Sequence, residues 1–209
     1  MNEFSVPMAL VDYIPVIFFC ISSVILMRDL YNKMSKGAYA LFCAGAIDII
    51  CAGGLKATYK LLYAAGICDF EALDRMFFPV QSIGFLLVGV GLIAMLCHNQ
   101  EEKLSAVAPA VYSGTFLFVG LMVAGLGCMS ASLCILSAKL KRARYIPLFA
   151  VAFICSMGMG YLSSQDFAQA SMNWIAEGVN VVGQASLMGG VILLHKAGLA
   201  GLTLKKDHA

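Results

Sequence analysis

Apolar runs of about twenty residues alternate along the chain with short polar gaps, and most of the charge sits in the gaps. Five runs, residues 9–27, 38–62, 76–97, 145–163 and 171–195, have the length a helix needs to cross roughly 30 Å of hydrocarbon at 1.5 Å per residue. They predict transmembrane helices. Residues 104–140 predict either two short helices, 104–121 and 124–140, broken near Gly125-Leu126-Gly127, or one long tilted helix. The expected fold is therefore an all-α, polytopic transmembrane bundle, with seven spans favoured and six as the alternative.

Composition supports this reading. Hydrophobic residues make up 61% of the chain and mean hydropathy is +0.86, against roughly 45–50% apolar content in soluble domains. A single integral-membrane domain over residues 1–209 is expected. The first run is read as a retained helix, because residues 1–8 carry Glu3 and no Lys or Arg, whereas a secretory leader has a basic start.

Charge distinguishes the two topologies, since Lys and Arg concentrate in cytoplasmic loops. Seven spans with an external N-terminus place Arg28, Lys33, Lys36, Lys103, Lys139, Lys141, Arg142, Arg144, Lys196, Lys205 and Lys206 inside and only Arg75 outside, eleven against one. Six spans split the same residues eight against four. The expected location is the plasma (inner) membrane, with the N-terminus outside and the C-terminus cytoplasmic.

The two ends of the chain also resemble each other. Asp69-Phe70 recurs as Asp166-Phe167 and His98 as His195, each 97 residues later, while Ser23, Leu26 and Leu41-Phe42 recur as Ser130, Leu133 and Leu148-Phe149 at an offset of 107. Three-helix repeats over 9–98 and 124–195, joined by a linker helix at 104–121, are expected. An added linker helix makes such repeats parallel. This 3+1+3 plan is similar in helix count and parity to the sugar-transporting SWEET and vitamin-transporting PnuC families. No motif of either is present, and in Pro79-Val80-Gln81 a residue separates the proline and glutamine that PQ-loop proteins keep adjacent; no family is assigned.

Polar side chains at membrane depth are costly unless paired or facing water, so they are the candidate functional residues. Asn173, Glu177, Asn180 and Gln184 recur at spacings of four, three and four, which puts them on one helix face. Ala176, Gly183 and Gly190 beside them permit close packing. In the second span, Asp48 lies near the middle and Lys56 closer to the outer end, with Tyr59 and Tyr63 nearby. Lys60 is expected to snorkel to the interface. Lys56 and Glu177 are expected at matching depth, with Asp48 deeper on the same path. The candidate substrate-binding set is Glu177, Asn180, Gln184, Asp48, Lys56, Gln81, Asn173 and Tyr59. The polar stripe reads equally as glue between helices, and a Lys56–Glu177 pair equally as a structural salt bridge.

Trp174, Phe77 and Phe78 are expected to anchor at the interface, and Pro15 and Pro79 to kink their helices. Cys20, Cys43, Cys51, Cys128, Cys134 and Cys155 fall inside apolar runs, without a metal-ligand or disulfide pattern. No catalytic, cofactor-binding or nucleotide motif is present, and the basic loops are too short for nucleic acid. No cofactor, metal or nucleic-acid partner is expected. The expected partners are the lipid bilayer and a small-molecule solute, and glycine faces such as Gly84, Gly89 and Gly91 suit packing within the chain or in a homo-oligomer. The leading functional expectation is membrane transport of a small polar or zwitterionic solute. The alternatives are a non-transporting membrane module (lipid-binding, sensor or assembly partner) and an intramembrane enzyme acting on lipid with Asp48 or Glu177 as acid or base.

Overall fold

The computed structural model describes residues 5–97, 115–162 and 170–204. Among these, every regular element is helical: α1 Val6–Val11, α2 Tyr13–Leu30, α3 Lys36–Ala64, α4 Ala72–Cys97, α5 Thr115–Lys139, α6 Ile146–Leu162 and α7 Ala170–Lys196, with short 3-10 turns at Ala143–Tyr145 and Leu199–Gly201. Five segments are long and apolar enough to cross a membrane, namely Val6–Leu30, Lys36–Ala64, Ala72–Cys97, Leu117–Lys139 and Ser171–Lys196, and Ala143–Met159 is a shorter apolar helix.

Local chemistry sets the helix ends. The Ser35 hydroxyl accepts from the Ala38 amide at 3.2 Å and so caps α3. Pro15 lacks an N–H and crowds the carbonyl four residues before it, that of Val11, where α1 ends. The helix restarts at Tyr13, and Asp12 occupies the joint. Asp12 keeps right-handed helical angles, φ −63 and ψ −19, so the first span is interrupted for one residue only, three positions before the proline. Pro79, by contrast, sits inside an uninterrupted α4. At the other extreme, Gly198 adopts φ +90, a conformation other residues rarely take, and the chain reverses there to bury Leu199.

Close contacts fix the helix directions. A Cβ on Gly45 would lie 2.4 Å from the Gly84 carbonyl, and one on Gly91 would lie 2.8 Å from the Ala38 carbonyl, so α3 and α4 run antiparallel. Gly125 packs on the backbone of Phe85, and Gly89 on Gly125 and Cys128, so α4 and α5 run parallel. Gly183 meets Cys155 and Gly190 meets the Phe149 ring, making α6 and α7 antiparallel. Of the two uses open to Gly84, Gly89 and Gly91, these contacts are packing within the chain, and Gly183 and Gly190 permit the close approach expected of them.

Two consequences follow for topology. The predicted break at Gly125-Leu126-Gly127 does not occur: α5 runs without interruption from Thr115 to Lys139, because Gly125 is used for close helix approach and not for a turn. Since α4 and α5 are parallel, Cys97 and Thr115 lie at opposite ends of the bundle. The remainder of the predicted linker helix, residues 104–114, lies outside the described residues, as do His98 and Asp166-Phe167 of the expected repeat.

The helices α2, α4, α5 and α7 thus point one way, and α3 and α6 the other. One end of the bundle carries Asp12, the C-terminus of α3 and the N-termini of α4, α5 and α7. The other carries Asp29, with Arg28, Lys33, Lys36, Lys139, Lys141, Arg142, Arg144 and Lys196. A continuous apolar core in that half includes Leu30, Leu133, Leu136, Phe149, Val191, Leu194 and Leu199, each 0% exposed.

Candidate functional site

A cavity of about 430 Å³ occupies the Asp12 half of the bundle. Its α3 wall is built from Ile49, Gly53, Lys56 and Lys60, a face defined by spacings of four, three and four. The same spacing on α7 supplies Asn173, Glu177, Asn180 and Gln184. From Asn173 to Gln184 the polar wall extends about 16 Å along the helix at 1.5 Å per residue. Gln81 and Asp74 line the α4 side. Of the eight predicted site residues, the fold brings six to this cavity: Lys56, Gln81, Asn173, Glu177, Asn180 and Gln184.

Asp48 and Tyr59 are not part of the lining. Asp48 is one position off the 49/53/56/60 face and packs toward α4, its Cβ 3.2 Å from where a Cβ on Gly84 would sit. Tyr59 is likewise turned away; its hydroxyl reaches Asp69 at 3.4 Å, beyond the end of α3, and its ring tilts against Tyr63.

The ionic centre differs from the expected Lys56–Glu177 pair. Glu177 contacts Lys60, with Nζ to Oε1 at 2.5 Å, and the same ammonium lies 2.9 Å from Asp12 Oδ2. Lys60 does not snorkel: it is 8% exposed, as is Asp12, and Glu177 is 4% exposed. Three elements therefore converge on one ammonium, α3 supplying the cation, the α1–α2 joint and α7 a carboxylate each. Depth explains the exchange of lysines. Lys60 is one turn closer to the helix end than Lys56, and Asp12 and Glu177 both sit near the starts of their helices. The neighbouring Tyr13 hydroxyl is occupied by Thr58, at 2.8 Å.

Lys56 lies over the Phe77 ring, its ammonium 4.1 Å from the ring centroid. Among the described residues no carboxylate lies within ion-pair distance of it. Phe77 and Phe78, predicted as interfacial anchors, instead line the cavity, whereas Trp174 is exposed on the outer face of α7. Glu177 Oε2 and Gln184 Oε1 are buried acceptors without a hydrogen-bond partner. The cavity wall thus offers the Lys56 ammonium, a free Glu177 acceptor nearer the end of the bundle and a free Gln184 acceptor deeper in.

The floor is apolar. Phe19 and Phe85 meet edge to face at a centroid distance of 6.0 Å, and Met122 and Leu126 complete it. Beneath lies a void of only about 10 Å³ lined by Met129, Phe153 and Leu187 together with the polar Ser130, Ser156 and Gln184, at the limit of what one water molecule needs.

The Asp29 end is held by a second polar cluster. The Asp29 side chain, 1% exposed, contacts His195 Nδ1 through Oδ2 at 2.8 Å, and Arg28 lies 2.8 Å from His195 Nε2. The same Arg28 nitrogen is 3.2 Å from Nδ1, so it lies over the face of the imidazole ring, not in line with a ring-nitrogen lone pair. Lys33 donates to the Ala200 carbonyl at 2.6 Å. Burial pushes the Lys33 ammonium below its ordinary pKa, opposed by the Asp29 charge.

No known protein family, curated protein or solved structure matches the chain. Its functional reading therefore rests on the cavity.

The sequence signal for α7 was its polar spacing, and it located four of the lining residues. Asp12 and Lys60 were the residues that sequence reasoning missed. The available signal for Asp12 was its place, as a carboxylate, in an apolar run.

Proposed function

We propose that this protein is a membrane carrier that moves a small polar or zwitterionic solute through the interior of its helix bundle. The observation that carries the reading is the 430 Å³ cavity, which combines an ammonium, a carboxylate oxygen and several amides. Such groups at membrane depth are costly and are retained where they bind solute or ions. Lys56 receives the anionic part of the solute and Glu177 its hydrogen-bond donors. Gln81, Asn173, Asn180 and Gln184 fix its orientation. The packed core beyond Phe19 and Phe85 is the barrier that a carrier must open in alternation with the cavity mouth.

The topology proposed for this carrier has seven crossings. The parallel run of α4 and α5 supports counting one further crossing between them, with Leu117–Lys139 and Ala143–Met159 as the fifth and sixth crossings. The Lys- and Arg-rich Asp29 end faces the cytoplasm, by the excess of positive charge on that side. The Asp12 end faces outward in the plasma membrane.

Counterflow in proteoliposomes tests the reading. Vesicles loaded with individual zwitterionic and polar neutral solutes are exposed to the labelled solute outside. Accumulation of at least one member of the panel is expected, and Gln184→Leu should abolish it with unchanged thermal unfolding. A well-folded wild-type protein that accumulates none of the panel would overturn the carrier reading.

A further inference from the structure

We propose that Asp12, Lys60 and Glu177 form a proton-binding site that exchanges its proton with water in the cavity. Both carboxylates touch a single ammonium, Asp12 at 2.9 Å and Glu177 at 2.5 Å. All three residues are more than nine-tenths buried. Fully ionised, the triad carries one excess negative charge.

The other groups facing it do not remove that excess. Lys56 on α3 and Asp74 on α4 line the same cavity and contribute one charge of each sign, which leaves the net excess unchanged. Asn173 on α7 and the Tyr13 hydroxyl, bonded to Thr58, are neutral. An uncompensated charge in a low-dielectric interior is disfavoured against its neutral form, and two carboxylates sharing one site do not both stay ionised at little cost.

The place for the proton is Glu177 Oε2. That oxygen is buried, has no hydrogen-bond partner and belongs to a cavity-lining side chain. Protonation there forms one O–H bond at the expense of a hydronium ion in the cavity. Oε1 continues to accept from Lys60, Asp12 keeps its ion pair, and the new hydroxyl becomes a donor toward the cavity. Release returns the proton to water, with no oxidation or reduction. A positively charged solute group arriving at Glu177 competes with that proton, which supplies a means of coupling solute movement to a proton gradient. The coupling rests on the carrier reading above, whereas proton occupancy does not.

Infrared spectroscopy of the purified full-length protein at neutral pH reads the site directly, through the carbonyl stretch of a protonated carboxyl group. Asp48→Asn serves as the background, so that the membrane-depth carboxyl outside the cavity does not contribute. In that background one such band per chain is expected, shifting in D₂O. Glu177→Gln should remove it, and so should Asp12→Asn, because a single remaining carboxylate has Lys60 to itself. Glu177→Gln preserves size and hydrogen bonding, so its spectrum is obtained on folded protein. Absence of the band in the background protein, or its persistence in both variants, overturns the proposal. A band that behaves as expected in a protein with no counterflow leaves the proton site standing and overturns the carrier reading; counterflow without the band overturns only the proton site.

Discussion

Lys60 and Glu177, 117 positions apart in the chain, meet at 2.5 Å inside the bundle. The contact joins the last turns of α3 to the first turns of α7 and so requires the two helices to run in opposite directions. An odd number of intervening crossings would have made them parallel and placed the two residues at opposite membrane faces. One ion pair therefore reports on topology and on the site together.

Removing Lys60 should be the most damaging single change in the triad. Lys60→Met leaves two buried carboxylates without their cation, and breaking a buried pair in this way costs roughly 3–5 kcal/mol. The triple replacement Asp12→Asn, Lys60→Met, Glu177→Gln should recover most of that loss. Unfolding of the purified proteins in detergent measures both, and equal stability of Lys60→Met and wild type would show that the triad contributes nothing to the fold.

Gly125 and Gly127 make a paired test of the α4–α5 contact. A Cβ on Gly125 would fall 2.3 Å from the Phe85 backbone carbon, whereas one on Gly127 meets nothing within 4 Å. Gly125→Ala should therefore destabilise by about 1–3 kcal/mol, the usual range for overpacking, and Gly127→Ala should be neutral. The same unfolding assay checks it, and equal behaviour of the two variants would contradict parallel packing of α4 on α5.

The aqueous face of each end is accessible to labelling. Cys68, exposed beyond the end of α3, should react from outside with an impermeant thiol reagent in intact cells. A cysteine introduced at Lys141 in a Cys68→Ser background should react only after permeabilisation. Labelling of both positions from the same side would contradict the proposed topology.

Lys56 should matter for solute more than for stability. Its ammonium rests on the Phe77 ring, a contact of about 0.5–2 kcal/mol, so Lys56→Met should fold with a small change in melting temperature. Counterflow of any solute bearing a carboxylate should fall at least tenfold. Retention of that activity would remove Lys56 from the binding set.

The helices and the α7 stripe were legible in sequence because both rest on period and polarity. Apolar runs long enough for a bilayer have few other uses, and four polar residues on one face cannot point into lipid. The ionic partner was not legible. Counting depth from the end of a helix ranks Lys56 as buried and Lys60 as free to reach the interface, because the count cannot include a carboxylate delivered by another helix. Asp12 meets Lys60 only because the first span packs beside α3, a tertiary fact that no local pattern carries. Asp48 was expected in the cavity from its depth alone, yet one residue on a helix is a rotation of about 100°, enough to face it toward Gly84. Gly125 reads as a breaker in isolation and functions as a contact because Phe85 lies against it.

The central claim is that the Asp12 half of the bundle encloses a site for a small polar solute. An experimental density map of the protein in lipid nanodiscs, prepared with the solute that supports counterflow, tests it most directly. The account predicts density for that solute between Lys56 and Gln184, with hydrogen bonds to Glu177 and Asn180. A cavity filled by a lipid acyl chain, with the solute elsewhere, would contradict it.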